Sequence, residues 1–133
     1  MRFVLDASVV ITWALRNEVH PLADLALVRL ESGSAITPAI FWYEIRNVLV
    51  LNERRGRITS ADADQFLGEL GRLHIEIEFP GSGASVLATA RKHGLSVYDA
   101  AYLALARRDG LPLATLDKNL EAAAIAEGIA LLN

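Results

Sequence analysis

The sequence contains no cysteine. Disulfides, thiolate-bound zinc and thiol nucleophiles are therefore excluded, and the composition suits a reducing compartment. No apolar run is long enough to span a bilayer. The most apolar stretch, Tyr98 to Ala106, falls far short of the ~20 residues a spanning helix needs. Met1 leads directly into Arg2-Phe3-Val4-Leu5-Asp6, with none of the basic and apolar regions of a secretory signal. The expectation is a soluble, cytoplasmic protein without membrane association. A strong positive excess is missing too. The formal net charge is −3, which argues against coating nucleic acid by bulk attraction. A local basic rim remains possible from Arg54, Arg55 and Arg57, from Arg91 and Lys92, or from Arg107 and Arg108. Such clusters equally suit the carboxyl ends of helices, where cations are favoured.

There is no internal repeat, low-complexity run or long linker, and 133 residues is the size of one domain, so residues 1–133 are expected to fold as a unit. Arg2 to Leu5 has strand character, and Ala7 to Leu15 follows as a helix. Pro21 sits well in the first turn of a helix running to Ser32. Ala35 to Thr37 is a brief strand, and Pro38 opens a long helix to about Arg55, ended by Gly56. A helix runs from Ser60 to Leu70. His74 to Phe79 alternates with period two, placing Ile75, Ile77 and Phe79 on one face. Pro80-Gly81-Ser82-Gly83 is a turn. Helices over Ala84 to His93 and Ser96 to Arg108 are closed by Gly94 and Gly110. Leu113 to Leu116 is a strand, Lys118 to Glu127 a helix, and Ile129 to Leu132 a last strand. Strands alternating with helices imply parallel pairing and crossovers. The expected architecture is a three-layer α/β/α sandwich around a five-stranded parallel sheet. Chemistry in such sheets gathers beyond the strand carboxyl ends, where strand order reverses.

Two acids fall at such ends. Asp6 follows the first strand, and Asp117 follows Ala114-Thr115-Leu116. Each also suits a helix N-cap. Glu44 is placed differently: Ile40 and Val48 lie four residues either side of it, within an apolar stripe that includes Phe41, Ile45 and Leu49. An unpaired charge there is costly, so Glu44 requires either a function or an ion-pair partner such as Arg46. Asp99 stands three residues after Ser96, which fits a capping box. The helix it opens is apolar nearly all round, which implies burial on most sides. Together, carboxylates gathered in one cleft repel one another unless protons or cations compensate. All-oxygen ligands of this kind suit Mg²⁺ or Mn²⁺, and an ion so held can activate water against a phosphodiester. His20, His74 and His93 share no local motif with a serine and are expected at the surface or in structural roles.

Other acid-bearing α/β designs fit less well. A receiver domain needs an Asp after its third strand and a late Lys, where this chain has Glu78-Phe79-Pro80 and ends at Leu132-Asn133. A haloacid-type phosphatase needs a second Asp where Ser8 stands. A dinucleotide fingerprint begun at Gly81-Ser82-Gly83 lacks its third glycine, since Val86 occupies that place.

Four segments, in order, carry a family resemblance. They are Val4-Leu5-Asp6-Ala7-Ser8, Glu44-Ile45-Arg46-Asn47-Val48-Leu49, Ser96-Val97-Tyr98-Asp99-Ala100-Ala101-Tyr102-Leu103-Ala104-Leu105-Ala106, and Leu113-Ala114-Thr115-Leu116-Asp117. The chain resembles the PIN-domain nucleases, and more narrowly the VapC toxins of toxin–antitoxin pairs, over essentially its whole length. The resemblance implies endonucleolytic cleavage of RNA in an acidic pocket holding Mg²⁺ or Mn²⁺. Residue by residue it implies Asp6, Glu44, Asp99 and Asp117 as the acids, Thr115 as an associated hydroxyl, and Ser8 and Asn119 as supporting polar groups. It further implies a homodimer, and a VapB-type antitoxin whose tail fills a groove near the site. Helices around Leu22 to Leu30 and Phe41 to Leu51 have apolar surface for such a groove, with Trp13, Phe41, Trp42 and Tyr43 as candidate anchors, although plain core packing is the simpler account of each. A different reading makes the protein chiefly a binding partner that regulates its own operon, with little or no cleavage.

Overall fold

Phe3, Val4 and Leu5 are fully enclosed, which makes β1 (Arg2–Leu5) the centre of the core. The computed structural model describes residues 1–15, 19–79 and 81–133. After β1 come α1 (Ala7–Leu15), α2 (Pro21–Ser32), β2 (Ser34–Pro38), α3 (Ile40–Arg54), α4 (Ser60–Leu70) and β3 (Ile75–Glu78). The chain continues through α5 (Gly83–His93), α6 (Val97–Asp109), β4 (Leu113–Ala114) and α7 (Lys118–Ala126). Of the expected turn before α5, Pro80 lies outside the described residues, while Gly81 has φ of 94°.

The strands form a parallel sheet in the order β3-β2-β1-β4. The chain moves outward from β1 through β2 to β3, then returns across the sheet to β4. Right-handed crossovers therefore put α1 to α4 on one face and α5 to α7 on the other. Strand order reverses at β1, whose neighbours are β2 and β4, so their carboxyl ends mark the expected crevice.

The sheet has four strands among the described residues, not the five expected. Ile129 to Leu132 contributes a single parallel bridge, Leu131 to Leu113. The cause lies in β4, which stops at Ala114 rather than Leu116. The N–H of Leu116 donates to Ser8 Oγ and that of Asp117 to Thr115 Oγ1, at 2.9 and 3.0 Å. Side chains take these amides, which ends the pairing of β1 with β4 at Ala114 and leaves residues 129–132 a two-residue strand beside them.

The alternation in β3 has a different consequence from the one expected. Of Ile75, Ile77 and Phe79, only Ile75 packs on the core; Ile77 and Phe79 are 46% and 80% exposed. As the edge strand, β3 has little covering its outer part. In α6, by contrast, Ala100 through Ala106 are all buried, as its all-round apolarity requires. Its small alanines let α5 approach, with Val86 and Ala90 meeting Ala100 and Ala104. Gly94 and Gly110 end α5 and α6 in the left-handed region, φ 62° in each, a conformation side chains disfavour.

The basic clusters are helix ends. Arg54 lies in the last turn of α3, Arg91 and Lys92 in that of α5, and Arg107 and Arg108 in that of α6. Among the described residues no helix is long and apolar enough to cross a membrane.

Candidate active site

Asp6 leaves the carboxyl end of β1 and is only 4% exposed. Its Oδ2 accepts from Ser8 Oγ at 2.6 Å and from Thr115 Oγ1 at 2.7 Å. Neither is a bond from a helix amide, so the N-cap alternative does not describe this carboxylate. The two hydroxyls are themselves anchored, because each also accepts the β4-to-α7 amide named above. Ser8 and Thr115 thus splint the carboxyl ends of β1 and β4 together around one oxygen. Burial pushes the Asp6 carboxyl above its ordinary value, the Ser8 and Thr115 hydroxyls pull it back, and the charges of Asp99 and Asp117 push it up again.

Asp117 does cap a helix. Its Oδ1 accepts from the N–H groups of Asn119 and Leu120 at 2.9 and 3.2 Å, at the amino end of α7. The capping role and the site role coincide, since a cap at this strand end carries its charge toward Asp6 and Asp99. Asn119 offers only its backbone, and its exposed side chain makes no hydrogen bond among the described residues.

Asp99 stands in the first turn of α6. Ser96 Oγ accepts its N–H at 3.1 Å. The reciprocal bond that completes the box between Thr59 and Asp62 in α4 is not formed here, so the Ser96 box is half made. The Asp99 carboxyl is raised by burial first and by Asp117 second, with Ser96 opposing.

Glu44 comes from the other helical layer. The buried stripe of α3 is Phe41, Ile45, Leu49 and Asn52. Ile40, Glu44 and Val48 run alongside it, half-buried, so Glu44 flanks the stripe rather than interrupting it. Arg46 is not its partner: the guanidinium lies 3.7 Å from the centre of the Trp42 ring and donates to Trp42 O. Glu44 Oε1 instead accepts from the Tyr102 hydroxyl at 2.7 Å. Burial raises the Glu44 carboxyl, the Tyr102 bond opposes, and Asp6 and Asp99 raise it further. The phenol is held far above the usual tyrosine range by burial and by the Asp6 and Glu44 charges, so it remains a donor.

Elements from both faces of the sheet thus bring Asp6, Glu44, Asp99 and Asp117 into one electrostatic neighbourhood. Among the described residues no cation pairs with any of the four. No three acidic or histidine side chains there converge closely enough to chelate a metal by themselves. A divalent cation would suit the charge and the oxygen donors, with water needed to complete its shell, as Mg²⁺ commonly requires.

Tyr102 and Thr37 were not foreseen as site residues. Thr37, buried in β2, has a hydroxyl that makes no hydrogen bond among the described residues, and it neighbours the Tyr102 phenol. The signal was present, since Tyr102 is the only hydroxyl in the buried run of α6 and a buried tyrosine needs a partner. The proposed groove anchors divide. Phe41 belongs to the core, and Trp13 donates its indole N–H to Ala23 O. Trp42 and Tyr43 are 44% and 64% exposed and stack edge to face at 5.1 Å.

Known proteins with similar sequences and folds agree with this architecture. The chain is 36% identical to ribonuclease VapC3 of Pyrobaculum aerophilum, over 90% of this chain and 92% of that protein. Its fold is similar to the crystal structure of PAE2754 from Pyrobaculum aerophilum, with a TM-score of 0.73 and 26% identity, covering 92% of this chain and 84% of that one. FitAcB from Neisseria gonorrhoeae matches in fold with a TM-score of 0.64 at 22% identity, over 100% of this chain and 97% of that one. VapC20 of Mycobacterium tuberculosis, described as a sarcin–ricin loop cleaving toxin, matches with a TM-score of 0.56 at 18% identity, over 92% and 95%. The PIN-domain family model matches residues 3–126, a span that holds all four acids and both splinting hydroxyls, and the chain belongs to the PIN-domain family.

Proposed function

We propose that this protein is a Mg²⁺- or Mn²⁺-dependent endoribonuclease, the toxin of a VapBC-type pair. The observation that carries the reading is the uncompensated acidic cluster at the carboxyl ends of β1 and β4. Asp6, Glu44 and Asp99 all have raised pKa values, in each case partly through another site acid. A fold that concentrates like charges without a cation is arranged to receive one. The relationship to ribonuclease VapC3 supports RNA as the substrate.

Asp6, Asp99, Asp117 and Glu44 would hold the ion, directly or through water. Bound there, the ion would supply positive charge against the phosphate and an activated water. The chain's own contribution is positional. Ser8 and Thr115 fix Asp6, the α7 amides fix Asp117, and Tyr102 fixes Glu44. Glu44 completes the ligand set or orients the attacking water. Water oxygen bonds to phosphorus as the bond to the 3′ oxygen breaks, leaving a 5′-phosphate and a 3′-hydroxyl. Single-stranded or looped RNA is the expected target, since its bases are open to recognition.

A VapB-type antitoxin and a second copy of the chain are the proposed partners, and the cytoplasm the proposed location. The exposed Trp42 and Tyr43 pair supplies aromatic surface of the kind that anchors interfaces.

RNA cleavage by wild type and Asp6→Ala, each with Mg²⁺ or with EDTA, tests the assignment. Cleavage is expected only from wild type with metal, and activity surviving both changes overturns it.

A further inference from the structure

We propose that Tyr102 is a positioning residue for this site: its buried hydroxyl holds the Glu44 carboxylate toward the other acids. The inference rests on the nuclease reading above and adds a residue to it.

Glu44 has reason to turn away. It is half-buried, and Asp6 and Asp99 repel it, so an untethered side chain would lower its energy by swinging toward water. A glutamate also regains rotamer entropy when released, about 1.5–2 kcal/mol for a long polar side chain. Its own helix supplies no restraint, because Arg46 is committed to Trp42. Among the described residues the Tyr102 hydroxyl makes the only hydrogen bond to the Glu44 carboxylate, at 2.7 Å. The phenol itself has no freedom: Tyr102 is 0% exposed, and residues Ala100 to Ala106 around it are all buried. Thr37 neighbours the phenol. Its buried hydroxyl lacks another partner and can donate to the phenol oxygen while the phenol donates to Glu44. The line runs from β2 through α6 to α3, and it crosses the sheet from one helical layer to the other.

Tyr102→Phe removes one oxygen and keeps the ring. The expected melting temperature is close to wild type, with KM for RNA unchanged. Mn²⁺ affinity and kcat should each fall about tenfold, the size of one hydrogen bond to a charged group. In a Glu44→Ala background the same substitution should leave Mn²⁺ affinity unchanged, because its effect passes through Glu44. A tenfold loss that persists in that background overturns the proposal, as does a Tyr102→Phe protein equal to wild type in affinity and kcat. The bond has a readout independent of activity. In wild type the Tyr102 hydroxyl proton should be slow to exchange and visible by NMR, and Glu44→Ala should remove or shift its signal. Its absence in wild type overturns the proposal. Failure of wild type to bind Mn²⁺ or cleave RNA, with the proton signal present, ends the nuclease reading and the proposed role with it, while leaving the bond itself established.

Discussion

Thr115 Oγ1 donates to Asp6 Oδ2 at 2.7 Å, joining residues 109 apart in the chain at a single buried oxygen. The same hydroxyl accepts the Asp117 N–H at 3.0 Å, so it ties the first acid to the fourth. Thr115→Val keeps the shape and removes both bonds. Destabilisation of about 1–3 kcal/mol is expected, because an amide and part of a carboxylate lose their partner in a buried place. Cleavage should fall with it. Thr115→Ser should restore most of both, measured by urea melts and RNA cleavage. If valine and serine behave alike, the hydroxyl does not matter.

The raised carboxyls give a sign for pH dependence. Asp6, Glu44 and Asp99 lie above their ordinary values of 3.8, 4.5 and 3.8 in the folded chain. The folded state therefore holds these protons more tightly than the unfolded state does. Their stabilising contribution is complete below the ordinary values and is lost as pH rises through the raised ones. Glu127 and Asp109 shift the other way, but they titrate below the ordinary carboxylate range. Metal-free protein should accordingly lose stability as pH rises above the ordinary carboxylate values. Saturating Mg²⁺ should reverse the loss, by about 2.7 kcal/mol at a hundredfold excess over its dissociation constant. Urea midpoints across that rise in pH, with EDTA and with Mg²⁺, give the comparison. A midpoint indifferent to both pH and metal would falsify the picture of a charge-strained site.

How far the sequence disclosed this site depends on what kind of interaction holds each residue. Asp6 and Asp117 were legible because strand ends and caps are local patterns, and both fell where the parallel sheet places its crevice. Glu44 was found through an argument that needed correction. It flanks the buried stripe, and its partner is a tyrosine from another layer rather than Arg46. A helix periodicity cannot name a partner 58 residues away. The fifth strand failed for a related reason. Leu113 to Leu116 has strand composition, but the hydroxyls of Ser8 and Thr115 take the Leu116 and Asp117 amides, and β4 ends at Ala114. Both departures are long-range polar contacts, and both converge on the site.

Glu127 offers a control remote from the chemistry. It follows the last turn of α7, opposite the end that carries Asp117. His93 Nε2 lies 2.7 Å from it, Lys92 Nζ 3.2 Å and Arg107 Nη1 3.6 Å. The His93 bond and then the Lys92 bond hold its carboxyl below the ordinary value of 4.5. The sign is the reverse of the site acids: its contribution is present above the ordinary value and is lost as pH falls through the lowered one. Glu127→Gln should cost about 1 kcal/mol at pH 7 and less in acid, with kcat for RNA cleavage unchanged. Lost cleavage at full folding would place this cluster in the mechanism after all.

At Asp99 the proposed function and the stability of α6 make opposite demands on one carboxyl. A charge in the first turn of α6 gains from the helix dipole, by roughly 0.3–1 kcal/mol. Burial and the Asp117 charge act against that charge and raise the Asp99 carboxyl, with the Ser96 bond opposing. Asp99→Asn retains the backbone N–H that Ser96 accepts and removes the repulsion. The metal-free variant should therefore be at least as stable as wild type, while RNA cleavage and toxicity on expression are lost. Mg²⁺ should separate the two proteins further, raising the urea midpoint of wild type and leaving that of the variant nearly where it was. A metal-free variant distinctly weaker than wild type would mean that Asp99 serves the helix first, and that its charge is there for α6 rather than for a cation.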